Sequence, residues 1–443
     1  MARRHLRWFV WAVCLGWGLA ATAQGQSLRR QLEGVFNDPL AIELAGPPGT
    51  QHGDHFKPEN VKTSGRIIST ISDFVANNTA SFPLSSTAAG ITFDFSSGVP
   101  VATTSSAGPI FAERAQTLGK NKLNVGANFS RLNLNKLRGI PTDDLRFTFT
   151  HQNVGDTSVF GDSPNEFDAI VLEPHLDLNV SIVALHATYG LTDRLDVGIA
   201  LPLVNVSLKA KPFARINSFT YAHSQHANHF YGGTSENPVL TLSAQSVDDV
   251  ASGVGDVALR AKDNIYRGDG LDLGILAEVR LPTGRAEDLL GAGKSSVKAA
   301  LIASAAWGNV SPHLNLGYNW RAGDLYRDRV ELIAGYDMKA TDKVTLAAEW
   351  LGQFEIGREV AALRFPEPTQ IQTATPDGGE VTTIVVAPTN IPNRSHDHVM
   401  NSSFGIKYAP KANVILVANV MLPVNDGGLR SNFVPTVGVE VNF

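Results

Sequence analysis

Three histidines, His223, His226 and His229, are spaced three residues apart in one long polar stretch. Imidazole nitrogens at such spacing can ligate a metal ion. No cysteine and no clear acidic partner sits among them, and a wet surface loop tolerates His freely, so neither metal nor other cofactor is expected. Nucleophilic catalysis would need a serine, a base and an orienting group at one depth. Ser181 and His186 fall on one predicted strand at opposite parity, and Ser224 lies beside His223 with no evident oxyanion geometry. No catalytic residue is assigned, and an enzyme is not expected.

The charged residues are more telling. Asp256, Arg260 and Lys262 share the polar parity of one predicted strand, and Glu278 and Arg280 that of the next. If the two strands form a hairpin, opposite charges can pair across it. Glu349, and more weakly Lys298, are candidates of the same kind. Such side chains fill the wet interior of a barrel, shape a solute path, or hold another segment as a plug.

The elements that must position them show alternation. Between Val344 and Ile356, one parity reads Val344, Leu346, Ala348, Trp350, Phe354 and Ile356, while the other carries Thr345, Glu349, Gln353 and Glu355. Leu271 to Leu281 and Phe433 to Phe443 repeat the pattern. Most runs cover ~11–13 residues, enough at ~3.3 Å per residue and a tilt of about 40° to cross a ~25 Å apolar band. Twelve such runs are predicted: 122–133, 177–191, 194–208, 254–266, 271–282, 295–308, 312–322, 329–339, 344–356, 396–409, 414–424 and 432–443. A hairpin within 144–175 would make fourteen. Short turns near 192–194, 267–270, 309–311, 341–343 and 410–413 alternate with longer links at 217–252, 284–294, 322–328, 358–395 and 426–431. That asymmetry is the short-periplasmic, long-extracellular signature of outer-membrane barrels. Aromatics precede the short turns at Tyr189, Tyr266, Trp307, Tyr336 and Tyr408, and Phe443 ends the chain. They predict a girdle at the lipid–water boundary. Tyr266 is out of phase, which calls for a bulge or an inward ring. The link 358–395 holds two β-rich runs around Asp377 and Gly378 and reads as an external hairpin.

The ends add context. Arg3, Arg4 and Arg7 precede an apolar run from Trp8 to Ala21, and Ala21 to Ala23 offers a small-residue cleavage site, so residues 1–23 read as a secretory signal peptide. Cys14, the only cysteine of the 443 residues, lies inside that run. No later stretch approaches the ~18 apolar residues of a spanning helix, so a secreted chain that crosses a membrane must do so with strands. Residues 24–115 are rich in Ser, Thr, Ala, Gly and Pro, with one short helix predicted at 67–76 and one short strand at 90–95; they read as a periplasmic or lumen-plugging segment ahead of a barrel at 116–443. The terminal strand, with Val439, Val441 and Phe443 on its apolar parity, is the expected signal for the barrel-assembly machinery. The net charge of −5 gives no nucleic-acid footprint.

Several motifs occur in a shared order. Thr188 to Pro202, Gly253 to Lys262, Leu281 to Gly284, Gly108 to Arg114, and Gly428-Leu429-Arg430 ahead of the terminal strand together resemble the outer-membrane transporter family named for the meta-pathway of phenol degradation. The resemblance spans roughly residues 108–443 and implies a relative of the fatty-acid and aromatic-hydrocarbon channels, without catalytic residues. The expectation is an all-β chain: a closed antiparallel transmembrane barrel in the bacterial outer membrane, among lipid and lipopolysaccharide, taking up small hydrophobic or aromatic compounds passively. A general diffusion porin and a surface-exposed structural or interaction barrel are the alternatives.

Overall fold

The computed structural model describes residues 26–37, 106–150, 168–218, 221–222, 225–322, 327–357, 368–374 and 381–443, with short pieces at 43–44, 71, 75, 93–94 and 101–102. The signal-peptide reading of residues 1–23 falls outside them, as do His223 and Ser224. No described helix is long and apolar enough to cross a membrane.

Twelve antiparallel strands close into one barrel in simple sequence order. They are β1 (Leu123–Asn133), β2 (Leu176–Gly190), β3 (Leu195–Ala210), β4 (Val247–Val254 continued by Ala258–Arg267), β5 (Leu271–Arg280), β6 (Ser296–Ala305), β7 (Val310–Arg321), β8 (Asp328–Lys339), β9 (Val344–Ile356), β10 (Val399–Lys411), β11 (Val414–Pro423) and β12 (Val434–Asn442). The seam joins β12 to β1, with Val437 opposite Phe129. It is finished by reciprocal backbone bonds, Leu123 N–H to Phe443 O at 3.1 Å and Phe443 N–H to Leu123 O at 2.8 Å. Closure leaves no unpaired edge to face lipid.

One strand shows which way the faces point. On β7, Leu314, Leu316, Tyr318 and Trp320 are each 45–48% exposed, while His313, Asn315 and Asn319 are at most 8% exposed. The greasy parity looks out and the polar parity looks in, the inversion that distinguishes a membrane barrel from a soluble one. Two short turns share a device: in Thr192–Leu195 and Thr341–Val344, the threonine Oγ1 accepts from the N–H three residues on, at 2.9 and 3.1 Å. All six aromatics of the expected girdle are exposed. The pairing of β4 with β5 slips between Asn264 and Tyr266, so a bulge turns the Tyr266 ring outward.

Two expectations are corrected. The stretch 144–175 adds nothing to the barrel. Phe147–Thr150 and Ala169–Glu173 do pair with each other, but Ala169–Glu173 then pairs with Phe213–Asn217, and that strand with Thr241–Ser243, in a separate four-stranded sheet. Runs of four and five residues cannot span a bilayer. The link 217–252 is also shorter than read, because Val247–Val254 pairs with the outer half of β3. The hairpin within 358–395 is present, with Thr369–Ala374 against Val381–Val386.

The region ahead of the barrel contains a helix that was not predicted, α1 (Leu28–Asn37). Leu28, Leu32, Val35 and Phe36 lie on one face and are at most 2% exposed. They join one apolar cluster with the inward-facing Leu178, Val180, Val204, Val206 and Leu208 of β2 and β3. Phe36 meets Phe147 edge-to-face at 5.2 Å, so the helix sits at the end of the barrel that carries the long links.

Candidate functional site in the barrel lumen

Residues 106–118 cross the lumen in its periplasmic half without regular secondary structure. A backbone that leaves the sheet ladder must find other partners for its N–H and C=O groups. Here the inward side chains of the wall supply them. The Glu349 carboxylate of β9 accepts from three successive amides, Ile110 at 3.0 Å, Phe111 at 3.0 Å and Ala112 at 3.2 Å. Asn315 of β7 grips Glu113 from both sides, its Oδ1 accepting from Glu113 N–H at 2.6 Å and its Nδ2 donating to Glu113 O at 2.9 Å. Ser304 accepts from Ala115 N–H at 3.0 Å, Asn264 donates to Ala115 O at 3.0 Å, and Asp196 accepts from Leu118 N–H at 3.0 Å. Gly405 of β10 leaves room for Ile110, since a Cβ there would stand 2.7 Å from the isoleucine Cγ1.

Charge fixes the same segment. Arg114 reaches Asp337 of β8 at 2.6 Å. Glu113 lies 3.3 Å from Arg260 and 3.6 Å from Lys262. Asp337 faces a second partner, with His313 Nδ1 at 3.7 Å, while His313 Nε2 is 3.5 Å from Glu349. These groups are nearly all withdrawn from solvent, where an unmatched charge would be costly.

The six candidate side chains divide by task. Arg260 and Glu278 are directly opposite across β4 and β5, with Nε to Oε2 at 2.6 Å. Glu278 also takes Arg280 at 2.7 Å and lies 4.0 Å from Lys298, which pairs with Glu331 at 3.3 Å. Lys262 bridges Glu113 and Asp196, the latter at 3.8 Å. Glu349 holds the crossing segment. Asp256 is different: it sits at the break in β4 and accepts from Gly284 N–H at 3.0 Å and Ala292 N–H at 2.8 Å. It ties the link after β5 to the wall, whereas Arg260 and Glu278 make the cross-hairpin pair. The kink at Gly255 takes Asp256 out of the regular ladder.

The two described histidines of this group have separate partners. His229 is fully buried, its Nδ1 2.7 Å from Asp168, which corrects the reading of a wholly solvated loop. His226 is exposed and lies 3.6 Å from Glu236. Ser181 and His186 point to opposite faces of β2, with His186 inward.

Above the crossing segment lies a cavity of about 140 Å3, open toward the long links and lined by Phe111 and Glu113 among others. Arg260, Glu278, Arg280, Lys298 and Glu331 charge one side of it, with Leu276, Ile302 and Ile333 beside them, and Leu132, Met421, Leu429 and Val434 make the other side largely apolar. Arg329 and Arg430 also line it. Burial lowers the Arg430 pKa to about 10, so the group stays charged at neutral pH. Asp196, Asp337, His313, Asn315 and Glu331 were not singled out from the sequence, and Arg430 only as part of the motif at 428–430. Inward parity marked most of them as lumen residues, but nothing local marked their partners.

The family described as "Putative MetA-pathway of phenol degradation" matches residues 142–362. The motifs at 188–202, 253–262 and 281–284 lie inside the match, and those at 108–114 and 428–430 outside it. No curated protein matches the chain. Among solved structures, an outer membrane channel from Pseudomonas putida F1 is 15% identical, with 74% of this chain and 98% of that chain covered and a TM-score of 0.38. The toluene transporter TodX of P. putida is 9% identical over 73% and 89% of the two chains, with a TM-score of 0.31. A Pseudomonas aeruginosa FadL homologue is 11% identical over 73% and 90%, with a TM-score of 0.29. The architecture given above rests on this chain's own strand pairing.

Proposed function

Since residues 142–362 belong to the family of that description and the chain closes into a lipid-facing barrel, we propose that this protein is an outer-membrane channel for passive uptake of small hydrophobic or aromatic compounds. The observation that carries the reading is the two-sided cavity above residues 106–118. A wide wet pore offers an apolar solute no better surroundings than bulk water. An apolar wall does: burying a phenyl-sized body is worth roughly 1.5–3 kcal/mol, enough to concentrate it about tenfold or more. The charged wall opposite keeps the lumen hydrated, and the crossing segment narrows the way out.

In this reading residues 24–115 form a plug, with α1 and 106–118 as two of its docked parts, and the barrel begins near 116. A general porin is disfavoured because the described segment occupies the space an open water column needs. The protein acts as a conduit and not as an enzyme. Its outer belt contacts outer-membrane lipid and lipopolysaccharide, and Val439, Val441 and Phe443, on the outward parity of the closing strand, serve as the signal to the assembly machinery. The test is uptake by proteoliposomes containing the purified mature chain. Toluene should enter much faster than arabinose relative to protein-free vesicles. Equal protein-dependent rates for the two would reject the proposal.

A further inference from the structure

Arg430 is the cavity cation that the wall does not neutralise. It follows Leu429 in the link between β11 and β12, where both pair with Lys136 and Leu137. It lines the cavity and is 6% exposed. Its guanidinium donates to Met400 O at 3.0 Å, to Asn401 Oδ1, and to Asn425 Oδ1 at 3.4 Å. All three acceptors are neutral. Among the described residues no carboxylate lies within 4.0 Å of it; the Asp426 carboxylate, in the same link, attracts it through space without a hydrogen bond.

The other cations of the cavity are matched. Arg260 and Arg280 share Glu278, Lys298 has Glu331, and Arg329 has Glu355 at 3.5 Å. Of the remaining lining acids, Glu113 faces Arg260 and Lys262, and Asp397 is held by the buried Arg138 at 2.7 Å and accepts from Gly428 N–H at 3.0 Å. A second buried cation near this end, Arg327, donates to Ser395 O at 2.6 Å, while its Nε and Nη2 have no hydrogen-bond partner. Two buried guanidinium groups at the long-link end of the lumen, Arg430 and Arg327, therefore have no carboxylate in direct contact among the described residues. A buried charge with only neutral acceptors is poorly compensated, and an anion arriving in the cavity would supply what the wall lacks. Planar guanidinium and carboxylate groups match in shape as well as charge.

Resting on the channel reading, we propose that the cavity selects monocarboxylates with an apolar body, aromatic or short alkyl acids, whose carboxylate binds Arg430 while the body lies against Met421, Val434 and Leu132. Arg430 then sets specificity within a channel that also admits neutral aromatics. Its hydrogen bonds to Met400 and Asn425 also hold the link in place, so the test needs a readout that a purely structural role would not move.

The experiment compares benzoate, toluene and benzylamine, one ring with negative, no and positive charge, in proteoliposomes at neutral pH. Wild-type protein should take up benzoate saturably and benzylamine without saturation. Arg430→Gln should raise the half-saturating benzoate concentration about 10–100-fold, a larger factor than its effect on toluene uptake measured in the same vesicles. Arg430→Lys should recover part of the benzoate effect, and circular dichroism should show β-structure in each variant. If wild-type protein moves toluene but shows no saturation with benzoate, or saturates equally with benzylamine, the carboxylate site is refuted and the channel stands; this comparison needs no variant to fold. If Arg430→Gln folds and keeps wild-type benzoate saturation, the site is likewise refuted. If neither toluene nor benzoate enters, the channel reading itself fails, and the site with it.

Discussion

Replacing Glu349 by Ala should release the segment that crosses the lumen. The wild-type carboxylate accepts from the amides of Ile110, Phe111 and Ala112 at 3.0–3.2 Å and is withdrawn from solvent. Each buried donor left without an acceptor costs about 1–3 kcal/mol, so three cost roughly 3–9 kcal/mol before water relieves part of the loss. The lower end alone shifts docking against release by roughly 100-fold. The barrel should survive, because the ladders of β9 with β8 and β10 run through backbone groups that the substitution leaves intact. Planar-bilayer recording is the direct assay. Wild-type channels should conduct little, and Glu349→Ala channels should show frequent or lasting large openings. In proteoliposomes the variant should admit arabinose as well as toluene. A folded Glu349→Ala barrel with wild-type conductance and wild-type exclusion of arabinose would show that this contact does not hold the lumen closed, and would remove the physical basis for reading 106–118 as its floor.

Glu278 is the acid shared by Arg260 and Arg280, with Lys298 also close. Glu278→Ala should destabilise the barrel by about 3–5 kcal/mol, seen as earlier unfolding in a denaturant titration, because it strands buried cations. Reversal potentials across a salt gradient should move toward anion preference; an unchanged midpoint and selectivity would contradict the assigned network. Leu301 on β6 is 60% exposed and points at lipid. Leu301→Arg should cost roughly 2–4 kcal/mol in vesicles if it lies near the midplane. An equally stable variant would mean that this face does not meet acyl chains.

Much of the barrel was legible because its signal is local. Side chains alternate with period two along every strand, so the parity of Leu314, Leu316, Tyr318 and Trp320 can be read without knowing what the strand pairs with. The even strand number, the short turns and the aromatic girdle follow from the same local chemistry. Tyr266 shows where that reading runs thin: its broken phase announced an irregularity, but only the register of β4 against β5 identified a bulge rather than an inward ring. The stretch 144–175 failed differently: its two short strands pair with each other, but the rest of their sheet comes from beyond residue 210 and lies outside the barrel wall. The helix α1 carried a readable spacing, Leu28, Leu32, Val35 and Phe36, that the surrounding polar composition obscured.

The lumen is where sequence reasoning stops. Inward parity placed Arg260, Glu278 and Glu349 on the inside, and adjacency in a hairpin made the Arg260–Glu278 pair readable. The partners of Glu349, however, are amides 237–239 residues away in a segment of weak periodicity. Arg430 enters the sequence reading only as the last residue of a short motif, and its lack of a direct carboxylate contact emerges only when the acids lining the cavity are seen to be engaged elsewhere. Alternation and turn chemistry are properties of neighbouring residues, so the chain by itself specified a closed, outwardly greasy barrel. What fills the barrel, and which charge is left for a solute, depends on contacts between distant parts of the chain, and only the folded structure brings those together.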